Sequence, residues 1–250
     1  MTPVSAVLIT LNEEKIIEKT LKALDWCDEI VVVDSGSTDS TLEICRRYRC
    51  KVFHRDFDGY GPQKRFAIAQ ASNEWIFALD ADEVLSAELR QELIDLFSGA
   101  TPTVQGFYIP RSLIFLGRLM RFGGEYKKPI LRLFSRKAGN YNDKILHEGI
   151  ELTGQTQHLK HQLLHYSYAS LSQYLQKFDR YSSAGAMEAF TKNKRYSKAY
   201  IMLRFPLEFF KLYILKLFIL DGYQGFLWAL MSSIYPVIKY AKLRELQNLD

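Results

Sequence analysis

The sequence predicts an α/β protein: a Rossmann-like, mostly parallel sheet flanked by helices, followed by a helical, amphipathic and basic C-terminal region. Three observations carry this reading. Short apolar runs rich in β-branched residues alternate with helical periodicities through the front of the chain, as in βαβ units. Polar loops follow the C-terminal ends of those runs, which is where ligands bind in open α/β sheets. Past roughly Ser167 only helical patterns remain. The expected division is 1–165 for the sheet domain and 166–250 for the helical region.

Taken in order, Val4–Thr10 reads as a buried strand, and Asn12-Glu13-Glu14 opens a helical stretch to about Leu24, with Ile16, Ile17, Leu21 and Leu24 at helical spacing. Glu29–Asp34 (EIVVVD) is a second buried strand, and the loop Ser35–Asp39 caps a helix over Ser40–Tyr48. Lys51–His54 is a third short strand. Gln63–Ala71 reads as a helix, Glu74–Leu79 (EWIFAL) as a fourth strand, and Ala87–Phe97 as another helix. From Gly106 the pattern changes to short strands at Gly106–Pro110, Pro129–Ser135 and near Gly149–Thr153. Phe205–Leu220 carries a narrow polar stripe of Arg204, Glu208 and Lys211 against a broad apolar face. Lys216 interrupts that run, and Gly222–Ile238 contains Gln224, two serines and Pro236. Both fall short of the ~20 apolar residues of a membrane span, so an in-plane, basic amphipathic region is expected.

Composition narrows the class. The 250 residues are 48% hydrophobic and 24% charged, too apolar for a disordered chain. Three cysteines (Cys27, Cys45, Cys50) cannot pair into a disulfide framework, and their spacing matches no zinc motif. No basic stretch followed by an apolar segment opens the chain, so secretion is not expected. Residues 177–250 hold 12 Lys and Arg against 6 Asp and Glu, whereas the front is nearly neutral. Such a rear suits an anionic membrane surface or nucleic acid, although no nucleic-acid motif is present.

The sharpest motif is Asp80-Ala81-Asp82. Two carboxylates two residues apart, just past a buried strand, can reach one hard divalent cation such as Mg²⁺ or Mn²⁺, an ion commonly shared with substrate phosphates. The ordinary alternative is an acidic turn at a helix N-terminus. Asp34, ending the second strand before a Ser/Gly loop, can accept hydrogen bonds from a ribose or base; its alternative is a simple βα turn with caps. Lys64, beside Gln63 and Arg65 at a helix start, and Arg132, in an alternating strand, are candidate diphosphate contacts. His147 is a candidate third metal ligand, and Glu148 a candidate general base. His158, His161 and His165 have helix-like spacing and are read as structural.

Together, SAVLITLNEE, VVVDSGSTDST, QKRFA, ALDADE, LRLFSR and LHEG resemble the family 2 glycosyltransferases of GT-A fold over roughly residues 4–150, and among them the bacterial lipopolysaccharide-core β-glucosyltransferases. The resemblance implies that Thr10, Asn12 and Glu13 line a nucleotide pocket and that Asp34 contacts base or ribose. It puts Asp80 near ribose and metal, with Asp82 as principal metal ligand and His147 completing the site. Lys64 and Arg132 would lie near the diphosphate. Glu148 would be the base, with Glu125 and Asp143 as competitors. It implies direct displacement with inversion, a divalent cation, a UDP-sugar donor (glucose above all) and a lipid-linked or lipopolysaccharide saccharide acceptor. The processive QxxRW motif is absent, the corresponding stretch reading KPILRLF, which points to transfer of a single sugar. The basic tail then fits a peripheral place at the cytoplasmic face of a bacterial inner membrane, unless its helices bury their apolar faces on the domain. Two other classes compete. A nucleotidyltransferase would carry a Gly-rich phosphate loop where this chain reads TLNEE; a non-enzymatic basic module would leave Asp34, Asp80 and Asp82 without a purpose.

Overall fold

A computed structural model describes residues 2–142, 149–168 and 170–247. The elements run β1 (Val4–Thr10), α1 (Ile17–Lys22), β2 (Glu29–Asp34), α2 (Thr41–Arg47), β3 (Lys51–His54), α3 (Tyr60–Gln70), β4 (Trp75–Asp80), β5 (Glu83–Leu85), α4 (Ala87–Ser98), β6 (Gly106–Phe115), β7 (Arg118–Leu119), β8 (Lys128–Ser135), β9 (Gly139–Tyr141), β10 (Ile150–Leu152), β11 (Thr156–His158) and β12 (Leu163–Tyr168). The helices α5 (Leu171–Thr191), α6 (Lys198–Phe210) and α7 (Gly222–Leu246) follow. Two compact units emerge: residues up to Ser112 with Lys127–Tyr166, and Leu113–Tyr126 with the residues from Ser167 onward. The stretch Leu113–Tyr126 thus groups with the C-terminal helices.

In the first unit the main path of the sheet is β3-β2-β1-β4-β8-β6-β12-β5. Its front four strands are parallel, as the βαβ pattern requires, whereas β8 runs antiparallel to β4 and to β6, and β12 antiparallel to β5. Both faces of β1 are covered. Val4, Ala6 and Leu8 pack with Ile17, Leu21 and Leu24, with Ile44 and with Leu89, Leu93 and Phe97 on one face. On the other, Val7 packs with Val31, Val33, Ala67, Ile68 and Tyr141. Side chains alternate across a strand, so a strand buried on both faces reads as an unbroken apolar run.

Two segments differ from the sequence expectation. The first helix begins at Ile17, not near Asn12, because Asn12 is left-handed (φ 56°) and its side chain is spent on a neighbouring loop. In the second unit, the expected continuous helix over Phe205–Leu220 is broken. After Phe210 the chain makes a π-turn over Lys211–Leu215, enters the left-handed region at Leu217 (φ 62°), and passes through a 3₁₀ turn at Phe218–Asp221 before α7. Among the described residues, no helix is long and apolar enough to cross a membrane.

Candidate active site

Parallel register brings Thr10, Asp34 and Asp80 to one end of the sheet: Thr10 pairs with Asp34, and Ile9 with Asp80. Thr10 is buried, and its Oγ1 has no hydrogen-bond partner among the described residues. A buried hydroxyl without a partner is costly unless something else completes it. Asp34, also buried, accepts from the Gly36 and Ser37 amides at 2.9 Å each and from Ser37 Oγ at 2.5 Å. Gly36 sits at φ +100°, a conformation L side chains rarely adopt, which lets the loop fold back onto the carboxylate.

The loops after β1 and β2 are joined. The Asn12 amide donates to Ser37 Oγ (2.9 Å), and Asn12 Oδ1 accepts from the Thr38 amide (2.8 Å). The Glu13 amide donates to Thr41 Oγ1 (2.8 Å), and the Glu14 amide to Asp39 (3.2 Å). Gln63, fully buried and not singled out by the sequence, donates from Nε2 to Ser35 Oγ (3.0 Å) and to the Arg55 carbonyl (2.9 Å), tying α3 to the Asp34 loop.

Lys64 and Arg132 converge on Asp80. Lys64 Nζ lies 2.8 Å from Oδ1, and Arg132 Nη2 lies 2.7 Å from Oδ2. Burial opposes ionisation of Asp80, but the two cations outweigh it and hold the carboxyl far below the usual range. Arg132 also donates to Glu83 Oε1 (2.7 Å) and to the Tyr141 hydroxyl (3.0 Å). Glu83, 0% exposed, further accepts from Arg111 (3.1 Å) and from the Asp80 amide (3.3 Å). Glu83 enters the sequence reading only inside the ALDADE string, and Arg111, in β6, is not singled out there at all.

Asp82, mostly buried, faces His165 Nε2 at 3.4 Å. Burial would lower the imidazole pKa, yet Asp82 reverses this and raises it. His165 comes here because β12 pairs antiparallel with β5, setting His165 opposite Glu83; three-and-four spacing to His158 and His161 was a coincidence of two strands and a bend. His147, Glu148 and Asp143 lie outside the described residues. Glu125 belongs to the second unit, where its carbonyl accepts from the Leu113 amide.

For a divalent cation, the donor chemistry at Asp82 fits. Its carboxylate is the hard oxygen that Mg²⁺ or Mn²⁺ prefers, and His165 adds an imidazole. Asp80 is already neutralised by two cations. Among the described residues, no set of three His, Cys, Asp or Glu side chains could hold an ion alone, so the remaining positions would fall to water, substrate phosphates or residues beyond those described.

Residues 5–149 match the family described as glycosyl transferase family 2. The lipopolysaccharide core biosynthesis glycosyltransferase LpsC of Rhizobium meliloti (strain 1021) is 31% identical, the alignment covering 97% of this chain and 92% of that protein. An uncharacterized glycosyltransferase of Rickettsia typhi, RT0209, is 27% identical over 98% of this chain and 88% of its own length. Among solved structures, S. aureus TarS 1-349 in complex with UDP is 26% identical, with a TM-score of 0.38 over 45% of this chain and 36% of that one. More than half of the chain falls within the family match, and a relative above 30% identity aligns along nearly its whole length: the chain belongs to glycosyl transferase family 2.

Proposed function

We propose that the protein transfers a single sugar, with inversion, from a UDP-sugar (glucose from UDP-glucose is the first choice) to a saccharide acceptor of the lipopolysaccharide inner core, at the cytoplasmic face of an anionic membrane. The observation that carries this reading is the row of Thr10, Asp34 and Asp80 at the strand ends, with Asp82 just beyond it. The near full-length likeness to LpsC supports the acceptor class.

In this reading the orphaned Thr10 hydroxyl and the Asn12–Glu13 loop line the nucleotide pocket, and Asp34 fixes the loop against base or ribose. Asp82 would hold the divalent cation, with Asp80, His147 and His165 as the further candidates around it. When bound, the cation offsets charge developing on the departing diphosphate. Lys64 and Arg132 orient Asp80 and supply positive potential toward that diphosphate. Glu148 takes the proton of the acceptor hydroxyl as its oxygen attacks the anomeric carbon from the face opposite the leaving group; no covalent enzyme intermediate is needed.

Calorimetric titration of UDP and a panel of nucleotide sugars, with and without Mn²⁺ or Mg²⁺, tests this. Metal-dependent UDP binding that disappears in Asp82→Ala is the expected result. Folded protein that binds no nucleotide would overturn the reading. Glu148→Gln that keeps normal turnover while Asp82→Asn loses it would remove Glu148 as base.

A further inference from the structure

We infer that the turn between α6 and α7 is a preformed apolar tip that inserts into the interface of an anionic lipid bilayer, with Arg118 and Arg121 meeting lipid phosphates beside it. This deepens the membrane setting of the proposed function and rests on that reading for the claim that the acceptor is lipid-borne; the tip itself is argued from the second unit alone.

The tip is apolar and exposed where a globular surface would be polar. Leu215 is 66% exposed, Leu217 46%, Ile219 44% and Leu220 55%, and the α6 side chains Leu203, Leu207 and Phe210 are exposed as well. Contiguous apolar surface of this kind marks an interaction site. It is also held in place rather than frayed. Phe218, 1% exposed, is driven inward beneath the chain at Gly123: a Cβ on Gly123 would fall within 1.9–2.4 Å of its ring. The Gly123 amide donates to the Lys216 carbonyl (3.0 Å), and buried Asp221 accepts from the Arg121 and Phe122 amides at 3.1–3.2 Å. These fixings hold Leu217 in a left-handed backbone conformation that is unfavourable for a bulky L residue. Burying Phe218 and Asp221 turns Leu217, Ile219 and Leu220 out to solvent.

The charges select the partner. Arg118 and Arg121 are exposed and line a cleft of about 710 Å³ with Leu116, Leu220 and Gln224. Among the described residues, neither guanidinium has an acidic partner, nor does the exposed Lys216 ammonium. The carboxylates nearby are engaged: Asp221 caps backbone amides, and Glu208 pairs with Arg204 and Lys211. A second copy of this chain placed on the tip would set cation against cation. An anionic bilayer accepts the apolar side chains and neutralises the arginines at once, the arrangement of an interfacial protein element.

The test is co-sedimentation of the full chain with vesicles of phosphatidylglycerol and phosphatidylethanolamine, against vesicles of phosphatidylcholine alone. Wild-type protein should sediment with the anionic vesicles and release as salt is raised. Leu215→Glu/Leu220→Glu alters two exposed positions and should weaken binding by at least about tenfold. Arg118→Ser/Arg121→Ser should weaken binding to anionic vesicles by about thirtyfold, from two basic residues at the usual increment each. No binding of the wild type, or unchanged binding of the leucine variant, overturns the inference. So does a concentration-dependent dimer, seen by light scattering, that the leucine variant abolishes. UDP titration of the same samples separates the two proposals: vesicle binding without nucleotide binding keeps the tip and sinks the transferase reading, and the reverse does the opposite.

Discussion

Glu29 offers a stability measurement whose size follows from its surroundings. It opens β2 with a side chain only 6% exposed. It accepts from Ser5 Oγ at 2.5 Å, from the Ser72 amide at 2.7 Å and from Ser72 Oγ at 2.9 Å, and it contacts the Lys51 ammonium. One carboxylate thereby ties together β1, β2, β3 and the turn before β4. Burial pushes its pKa up, but these donors overcome that and bring it from 4.5 to about 2. A shift of that size corresponds to about 3 kcal/mol of folding stability at pH 7. The folded-state pKa is depressed, so the contribution is complete above pH 4.5 and is lost as pH falls toward 2. Roughly 2 kcal/mol should survive at pH 3.5 and less than about 1 kcal/mol at pH 2.5. Lys51 is 55% exposed and screened by solvent, so its share of the effect should fall as salt is raised while the share of the Ser5 and Ser72 hydrogen bonds persists. Urea unfolding of wild type and Glu29→Gln at pH 7 and pH 3.5, followed by fluorescence of the buried Trp75, reads the difference. It should be up to about 3 kcal/mol at pH 7 and shrink by roughly 1 kcal/mol or more at pH 3.5. A variant within about 0.5 kcal/mol of wild type at pH 7 would refute the reasoning. So would a gap that stays constant on acidification.

Two further outcomes concern the buried charge cluster and the second unit. Arg132→Met strips Asp80 and fully buried Glu83 of a shared partner, and should cost about 3–5 kcal/mol; adding Glu83→Gln should restore part of it, and additive losses in urea unfolding would show that the two do not interact. Gly225→Ala would set its Cβ 1.9 Å from the Phe218 carbonyl oxygen, a backbone atom that cannot swing aside, and should destabilise the second unit by at least about 2 kcal/mol. Gly99→Ala, whose new methyl meets nothing within 4 Å, is the matched control, and equal proteolytic resistance of the two variants would contradict the packing.

What the sequence disclosed divides along physical lines. The strand ends carrying Thr10, Asp34 and Asp80 were legible because a strand buried on both faces must be apolar, and its abrupt change to polar residues marks the sheet's rim. Asn12 and Glu13 lie in the loop between β1 and α1. The start of α1 was misjudged, because hydrogen bonds to residues some 25 positions away decide it. His165 was passed over for the same kind of reason: its place beside Asp82 depends on the pairing of β12 with β5, and short spacing between histidines says nothing of that. Lys216 interrupts the apolar run through Phe205–Leu220 but does not reveal the break in the helix, since an amphipathic pattern does not record where a left-handed residue will be forced by a buried phenylalanine. The joint pairing of Lys64 and Arg132 with Asp80 likewise needed the third dimension.

The cross-links between the loops after β1 and β2 have a mechanical consequence. Asn12, Ser37, Thr38 and Thr41 make those loops a single rigid rim, with Asp34 fastened to it from below and Gln63 bracing it from α3. A ligand touching either loop therefore meets both, and neither has to be ordered at the moment of binding, which spares affinity the entropy of arranging a floppy mouth. The same bracing is distributed over several bonds: Asn12→Ala removes the acceptor of the Thr38 amide but keeps the Asn12 amide on Ser37 and the Glu13–Thr41 and Glu14–Asp39 links, so it should slacken the rim at Thr38 without releasing either loop.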